Sequence, residues 1–542
     1  MSSAIQTGNP ESSTSERARE REDGPRVGGR PAAELDHQVV IVGSGFSGLG
    51  AAIALSKLGI EDFVILEREK EFGGTWVQHA YPGLEIDMPF FVYSYPFEPR
   101  WSWSQLYPTG EEYADYTRFV AKKYDLERRI RCQAGVAEAR WDEDANVWRV
   151  RLERGETLVC RWLVSATGLL VVPKLPDIEG IDEFEGKLIH TARWDHDYDL
   201  TEKRVAVIGT GATAIQVVPA IANRVELIDV YQRTPIWLMP KPNPRLSPGF
   251  QRFLRRLPFA QRLARWAMNA LVEVVFGLGF IRYTRFPGIF RWIERRLVAF
   301  IRREIIDVEL QEKLIPRYAY FCKRPSFSNS FYATLNLPHV ELVTDPIERV
   351  TKRGIVTTDG RERDVDVIVC ATGYQVFNRS CVPGYALIGR GGKDLGAFWE
   401  ENRYQAYEGI TVPDFPNLFL FMGPYSTAGL SYFTMIDVES KHMTRLLRAA
   451  RRRGSEYVEI KRAAHERDFA KVERRAKQTV FAGNNCAGSN TYYVDGHGDS
   501  PGLRPVSGFE HWLNSRFFPL DDYLFEPPDR SRDVARAGRA KG

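Results

Sequence analysis

The sequence predicts an α/β fold: two Rossmann-like dinucleotide-binding domains, the second nested in the first, with a helical insertion. Three observations predict it. Two glycine-rich turns each follow an apolar strand and open a helix, at 43–48 and 209–214. Each unit is answered further along by an apolar run ending in Ala-Thr-Gly, at Ala166-Thr167-Gly168 and Ala371-Thr372-Gly373. Between the second glycine turn and its Ala-Thr-Gly lies an aromatic, arginine-rich stretch with helical spacing and few strand signals, 245–311.

The chain of 542 residues is long enough for three to four domain-sized units. At 44% hydrophobic, 12% aromatic and 27% charged it has the make-up of a globular enzyme, not of a disordered or collagen-like chain. Its 74 basic and 70 acidic residues leave a net charge of +4, too balanced to indicate nucleic acid. The six cysteines, Cys132, Cys160, Cys322, Cys370, Cys381 and Cys486, include no closely spaced pair. No zinc site, redox dithiol or compact disulfide framework is therefore expected, and a reducing cytoplasm is the expected compartment. No signal peptide, membrane-spanning stretch, lipid anchor or metal site is read.

Residues 1–36 hold almost no large apolar side chain and read as a disordered tail, because too little surface can be buried to offset the ordering entropy. Gln38-Val39-Val40-Ile41-Val42 then has the continuous apolar character of a strand buried on both faces. Gly43-Ser44-Gly45-Phe46-Ser47-Gly48 follows, then a helix of small and apolar residues over 49–58 and a strand over 63–67. The second unit repeats this order: strand 204–208, Gly209-Thr210-Gly211-Ala212-Thr213-Ala214, a helix, and strand 225–233. In such a turn the first glycine permits the tight bend and the second lets the backbone approach a pyrophosphate. The third position packs helix on strand, and the helix N-terminus offers free amides to phosphate. Each copy here stands in the strand–turn–helix–strand context that gives the motif its meaning.

The ends of the second strands differ. Glu67 lies 24 positions after Gly43, where a carboxylate accepts hydrogen bonds from ribose hydroxyls. Arg233 lies 24 positions after Gly209, and a cation there suits the 2′-phosphate of NADP, with Thr234 adding a hydroxyl. The first unit reads as an FAD site and the second as an NADPH site. The expected division is 37–170 FAD-binding domain, 171–244 NADP-binding domain, 245–320 helical insertion, 321–382 NADP-binding domain again, and 383–527 FAD-binding domain with C-terminal loops. A flexible tail, 528–542, ends the chain. Helical packing over the site is the favoured role of the insertion, ahead of membrane-surface contact through 250–300. A basic, solvated helix is read at 443–453, and 501–527 reads as loop-rich.

Phe184-Glu185-Gly186-Lys187-Leu188-Ile189-His190-Thr191-Ala192-Arg193-Trp194-Asp195 matches F-x-G-x-x-x-H-x-x-x-W-(P/D) at every fixed position. It resembles the fingerprint of the type I Baeyer–Villiger monooxygenases. Gly74-Thr75-Trp76, Tyr81-Pro82-Gly83 and Asp87 resemble a second signature of that family, and Cys322-Lys323-Arg324-Pro325 a third. The resemblance spans about 37–527. It implies an enzyme that uses FAD, NADPH and O2 to insert one oxygen atom beside a ketone carbonyl through a peroxyflavin, giving an ester or lactone. Gly74, Thr75, Trp76, Asp87 and Tyr93 are then implied in flavin binding and Lys323 as a second contact to the 2′-phosphate. Arg324 is implied as the catalytic cation, with Asp87 holding it. Phe184, Gly186, His190, Trp194 and Asp195 are implied in coupling the domains. The expected partners are a bulky hydrophobic ketone beneath an aromatic lid such as 266–292, and O2, with the chain a monomer or homodimer. The alternative is a flavin-containing monooxygenase making N- or S-oxides. Ala80, Glu85, Tyr425 and Thr491-Tyr492-Tyr493 depart from the family pattern, which bears on substrate shape and cofactor contacts.

Overall fold

The computed structural model describes residues 34–379, 381–429 and 431–527. The expected tails therefore lie outside the described residues, apart from the short stretch 34–36. Two sheets organise the rest. In the first, the strand His37–Val42 runs parallel to both Phe63–Leu66 and Thr157–Ser165, and Leu418–Leu420 joins Thr157–Ser165 from the far end of the chain. Val136–Asp142 and Val147–Leu152 extend this sheet antiparallel, and Ala386–Ile388 closes its edge. The central strands are buried on both faces, as their unbroken apolar runs require.

The second sheet is wholly parallel, in the order Val340–Val343, Leu227–Tyr231, Arg204–Ile208, Val367–Cys370, Lys187–His190. All five strands come from 187–370, while the first sheet draws on residues both before and after that span, so the second is nested in the first. The chain passes between the sheets twice, after Gly168 and after Gly373, and the two passages pair with each other. Val172–Pro173 lies antiparallel to Tyr374–Gln375, and the Lys174 amide donates to the Gly373 carbonyl at 2.9 Å. A two-stranded ribbon thus forms the joint.

The insertion is helical, with Pro248–Arg256, Pro258–Phe276 and Pro287–Glu304. The first two of these helices meet at Leu257-Pro258. Proline at the first helical position needs no amide partner there, but it prevents the preceding helix from continuing.

The structure differs from the sequence reading in four places. Where no membrane-spanning stretch is read, the continuous helical run Pro258–Ile281 is long and apolar enough to cross a bilayer by length and composition. The helix expected at 443–453 is the second half of Tyr432–Arg453, capped at Ser431, and it is not a solvated face: Met443, Leu446, Leu447 and Ala450 are buried. The stretch 501–527 contains a regular helix, Gly508–Phe517, capped by Ser507 accepting from the Glu510 amide. Cys322 and Cys486 form a disulfide across 164 positions, which spacing along the chain could not reveal.

Arg504 fastens the C-terminal segment. It is fully buried, paired with Asp468 at 2.5 Å and Glu408 at 3.0 Å, and Glu408 also meets His511 at 3.1 Å. Burial raises the Glu408 carboxyl, but Arg504 and His511 outweigh it and hold the group below the usual carboxylate range. Arg504→Ala leaves two buried acids without their cation and is expected to destabilise the protein by about 3 kcal/mol, read as an earlier urea transition in tryptophan fluorescence.

Candidate active site

Both glycine turns are built by the same contact. Gly43 has φ +103°, and a Cβ there would sit 2.5 Å from the Ala166 carbonyl oxygen. Gly209 has φ +113°, and its Cβ would sit 2.7 Å from the Ala371 carbonyl oxygen. Each Ala-Thr-Gly turn therefore presses its first carbonyl against the first glycine of its own unit, which explains why the two motifs occur in pairs. Gly48 is filled as tightly, with a Cβ 1.9 Å from the Gly43 oxygen. Ala214, at the third position of the second turn, is fully buried where the helix Ala214–Ile221 begins.

The second glycines stand open. Nothing lies within 4 Å of a Cβ on Gly211, and a Cβ on Gly45 meets only the Gly74 Cα at 3.7 Å. Gly74 lies at φ +64° and approaches Gly45 backbone to backbone, ahead of the short helix Thr75–Gln78. The Glu67 carboxylate is buried beside this turn. It accepts from the Ser44 amide at 3.1 Å, the Ser44 hydroxyl at 2.5 Å and the Glu69 amide at 2.9 Å, while the Ser44 hydroxyl in turn accepts from the Gly73 amide. Phe46 lies in an aromatic cluster with Tyr95, Tyr116 and Phe433, the Ser47 hydroxyl meets that of Tyr432, and Trp76 packs edge-on to Tyr93.

Arg233 and Lys323 converge although 90 positions apart. Burial pushes the Lys323 ammonium down to about 8, and the neighbouring Arg233 charge pushes in the same direction. Arg233 itself is exposed. Two cations this close repel unless an anion sits between them. Thr234 accepts from the Asn490 side chain at 2.8 Å, and the Thr210 hydroxyl donates to the Thr234 carbonyl. Ala212 and Thr213 complete the turn, with Thr213 just ahead of the helix.

Asp87 and Arg324 meet in a two-pronged pair, Nε–Oδ2 at 2.5 Å and Nη2–Oδ1 at 2.8 Å. Asp87 holds the guanidinium well above its ordinary pKa, and Tyr493 and Tyr492 stand near enough to contribute. The side chain of Arg324 nevertheless keeps 47% of its surface accessible. Tyr93 lies close to the same pair.

The fingerprint segment spans the two sheets. Phe184 and Gly186 pack together, and a Cβ on Gly186 would strike both the Phe184 ring and the Asp366 carbonyl. His190 ends a strand beside Cys370, and its Nδ1 accepts from the Ala192 amide. Burial keeps this ring below the usual histidine pKa, hence neutral with its proton on Nε2. Trp194 packs at the edge of the second domain's core, and Asp195 pairs with Lys187 at 2.5 Å. Arg193, just before Trp194, reaches Glu69 in the first domain at 2.6 Å.

Several contacts lay outside sequence reasoning because their partners are far apart in the chain. Arg193–Glu69 is one. Another is Tyr81, whose hydroxyl donates to Gln216 at 3.0 Å, while Gln216 donates to the Glu85 carbonyl at 2.8 Å. Glu85, a departure from the family pattern, pairs with the buried Lys241 at 2.6 Å. Tyr425 is buried at φ +58°, a backbone conformation that asparagine adopts more easily.

The residues present fit two dinucleotides of different kind: two turns open at the second glycine, a buried carboxylate beside one, and a cation pair beside the other. Residues 40–274, covering both turns, match the family model described as pyridine nucleotide-disulphide oxidoreductase; Cys322 and Cys486 lie outside this match. A Baeyer–Villiger monooxygenase of Pseudomonas aeruginosa is 36% identical over 93% of this chain and 92% of its own. The chain belongs to the Baeyer–Villiger monooxygenases. A second member, from Streptomyces coelicolor, is 34% identical over 93% of this chain and 95% of its own. Among solved structures, an OTEMO complex with FAD and NADP superposes with a TM-score of 0.81 at 26% identity, covering 91% of this chain and all of that one. An oxidised steroid monooxygenase bound to NADP gives 0.80 at 28% identity, covering 90% of this chain and 99% of that one.

The 2′-phosphate contact expected of Lys323 carries a pH dependence. An ammonium there would attract the phosphate, and that form is lost as pH rises through about 8. The kcat/KM for NADPH is therefore expected to fall above about pH 8. Lys323→Arg is expected to remove that limb from the pH profile, since arginine stays charged.

Proposed function

We propose that this Baeyer–Villiger monooxygenase binds FAD at the first glycine turn and NADPH at the second, and converts a bulky hydrophobic ketone and O2 into an ester or lactone. The Asp87–Arg324 pair carries this reading. It joins a residue that follows the first glycine unit to one that precedes the strand Ser326–Phe327 of the other domain.

The flavin, when bound, supplies hydride acceptance from NADPH and the activation of O2. The chain's own residues do the rest. Gly45 leaves room for the FAD pyrophosphate while Gly43 and Gly48 shape the turn, and Glu67 stands where ribose hydroxyls donate. Gly211 does the same for NADPH, with Gly209 and Ala214 shaping the turn and Arg233 and Lys323 taking the 2′-phosphate. Arg324 holds a permanent positive charge on a half-accessible side chain, so an oxygen nucleophile beside it stays deprotonated and negative charge developing on the carbonyl oxygen is stabilised. Asp87 fixes the plane of the guanidinium through both oxygens. Arg193–Glu69 and the paired ribbons Val172–Pro173 and Tyr374–Gln375 couple movement of the two domains.

The preference for a bulky apolar substrate rests on the aromatic make-up of 266–292 read from the sequence; Phe280, Phe290 and Tyr283 of that stretch pack with Cys322 in a buried cluster.

Arg324→Ala tests the reading. Reduction of bound flavin by NADPH, followed as bleaching of the flavin band, is expected to persist, while ketone conversion falls by about a hundredfold or more. Ester or lactone formation at the wild-type rate in this variant would overturn the assignment. Sulfide oxidation retained while ketone oxidation is lost would localise the effect to attack on the carbonyl.

A further inference from the structure

The helix Pro258–Phe276 is turned inside out. A row of polar side chains at every fourth position, Gln261, Arg265, Asn269 and Glu273, lies on its protein side. Arg265 donates to the Ser94 carbonyl and hydroxyl, both at 2.7 Å, and Glu273 accepts from the Gly508 amide at 2.9 Å. The opposite face carries Phe259, Leu263, Trp266, Leu271 and Val274, which are 74%, 53%, 70%, 56% and 57% exposed. In water alone the apolar face of an amphipathic helix turns inward. Here the neighbouring elements add to the patch, with Phe250 and Phe253 stacked and exposed on one side and Ile289 and Trp292 exposed on the other.

We infer that this face docks on the surface of an anionic lipid bilayer, with the helix lying in the plane of the headgroups. Charge supports that occupant. Residues 245–303 hold thirteen arginines and two glutamates, a surplus of +11 in a chain whose total is +4. Among the described residues Arg252, Arg255, Arg256, Arg262, Arg282 and Arg285 are exposed, and none of them forms an ion pair. Unpaired arginines around an exposed aromatic and aliphatic face are the composition of an interfacial anchor.

The same observations disfavour the other occupants. A second copy would bring one strongly positive surface against another. The N-terminal tail offers only Met1, Ile5, Val27 and Leu35 as large apolar residues in its 36 positions. Pro258–Ile281 is long and apolar enough to cross a membrane by length and composition. A crossing would strip Arg265 and Glu273 of their partners Ser94 and Gly508 and place both charges in hydrocarbon. The helix therefore lies on the bilayer. This inference is independent of the reaction and of the cofactor sites.

Flotation of the full-length flavoprotein with lipid vesicles tests it. The protein is expected to float with phosphatidylglycerol vesicles at low salt, to bind pure phosphatidylcholine vesicles about tenfold more weakly, and to be released by high salt. Phe259→Glu with Leu263→Glu changes two exposed side chains and is expected to leave the circular dichroism unchanged while reducing vesicle binding about tenfold or more. Failure of the wild type to float with anionic vesicles would overturn the inference, as would equal flotation of the double variant. Resistance of the bound protein to salt and alkaline extraction would show a spanning helix instead. A dimer in sedimentation equilibrium that the double variant converts to monomer, with no vesicle binding by either, would show a second copy as the true occupant.

Discussion

One ion pair organises this molecule. Asp87 approaches from the domain that begins at the first glycine turn, and Arg324 approaches from the segment leading into the strand Ser326–Phe327. Two parallel hydrogen bonds specify orientation as well as proximity, which a lysine at the same place could not do. The guanidinium remains about half accessible, so the pair does not bury its cation in the fold. The glycine turns and the cation pair at Arg233 and Lys323 take their meaning from where this pair sits.

What was legible in the sequence was what is local. The strand–turn–helix–strand units each occupy some thirty residues, and the positions of Glu67 and Arg233 could be counted from their own glycines. The Ala-Thr-Gly turns were recognisable as partners of those units, although only the structure shows the physical bond, a carbonyl oxygen pressed on a glycine that has no Cβ. The helix Gly508–Phe517 is not legible even though Ser507 and Glu510 stand in the spacing of an N-terminal cap, because the surrounding prolines and aromatics read as loop. Only the end of the helix Tyr432–Arg453 is legible, since its first turns are a run of aromatic and buried residues without the basic periodicity of its end.

The links that turn two domains into one site were not legible, and the reason is physical. Arg193–Glu69, Lys241–Glu85 and Asn490–Thr234 join positions separated by more than a hundred residues, and nothing in a charged or amide side chain's immediate neighbours announces such a partner. The insertion posed the opposite difficulty. Its helical period was plain, but periodicity is blind to which face points outward, and Pro258–Phe276 places its polar row against the protein.

The bond between Cys322 and Cys486 closes the intervening chain into a ring. One end of that ring abuts Lys323 and Arg324; the other opens the loop that runs on to Asn490, Tyr492 and Tyr493. The Arg324 segment and the Tyr493 loop are thereby leashed, with the cysteine α-carbons 5.2 Å apart at the knot. Neither segment can peel away from the other. Any pivoting of the sheets about the paired ribbon carries both as one piece.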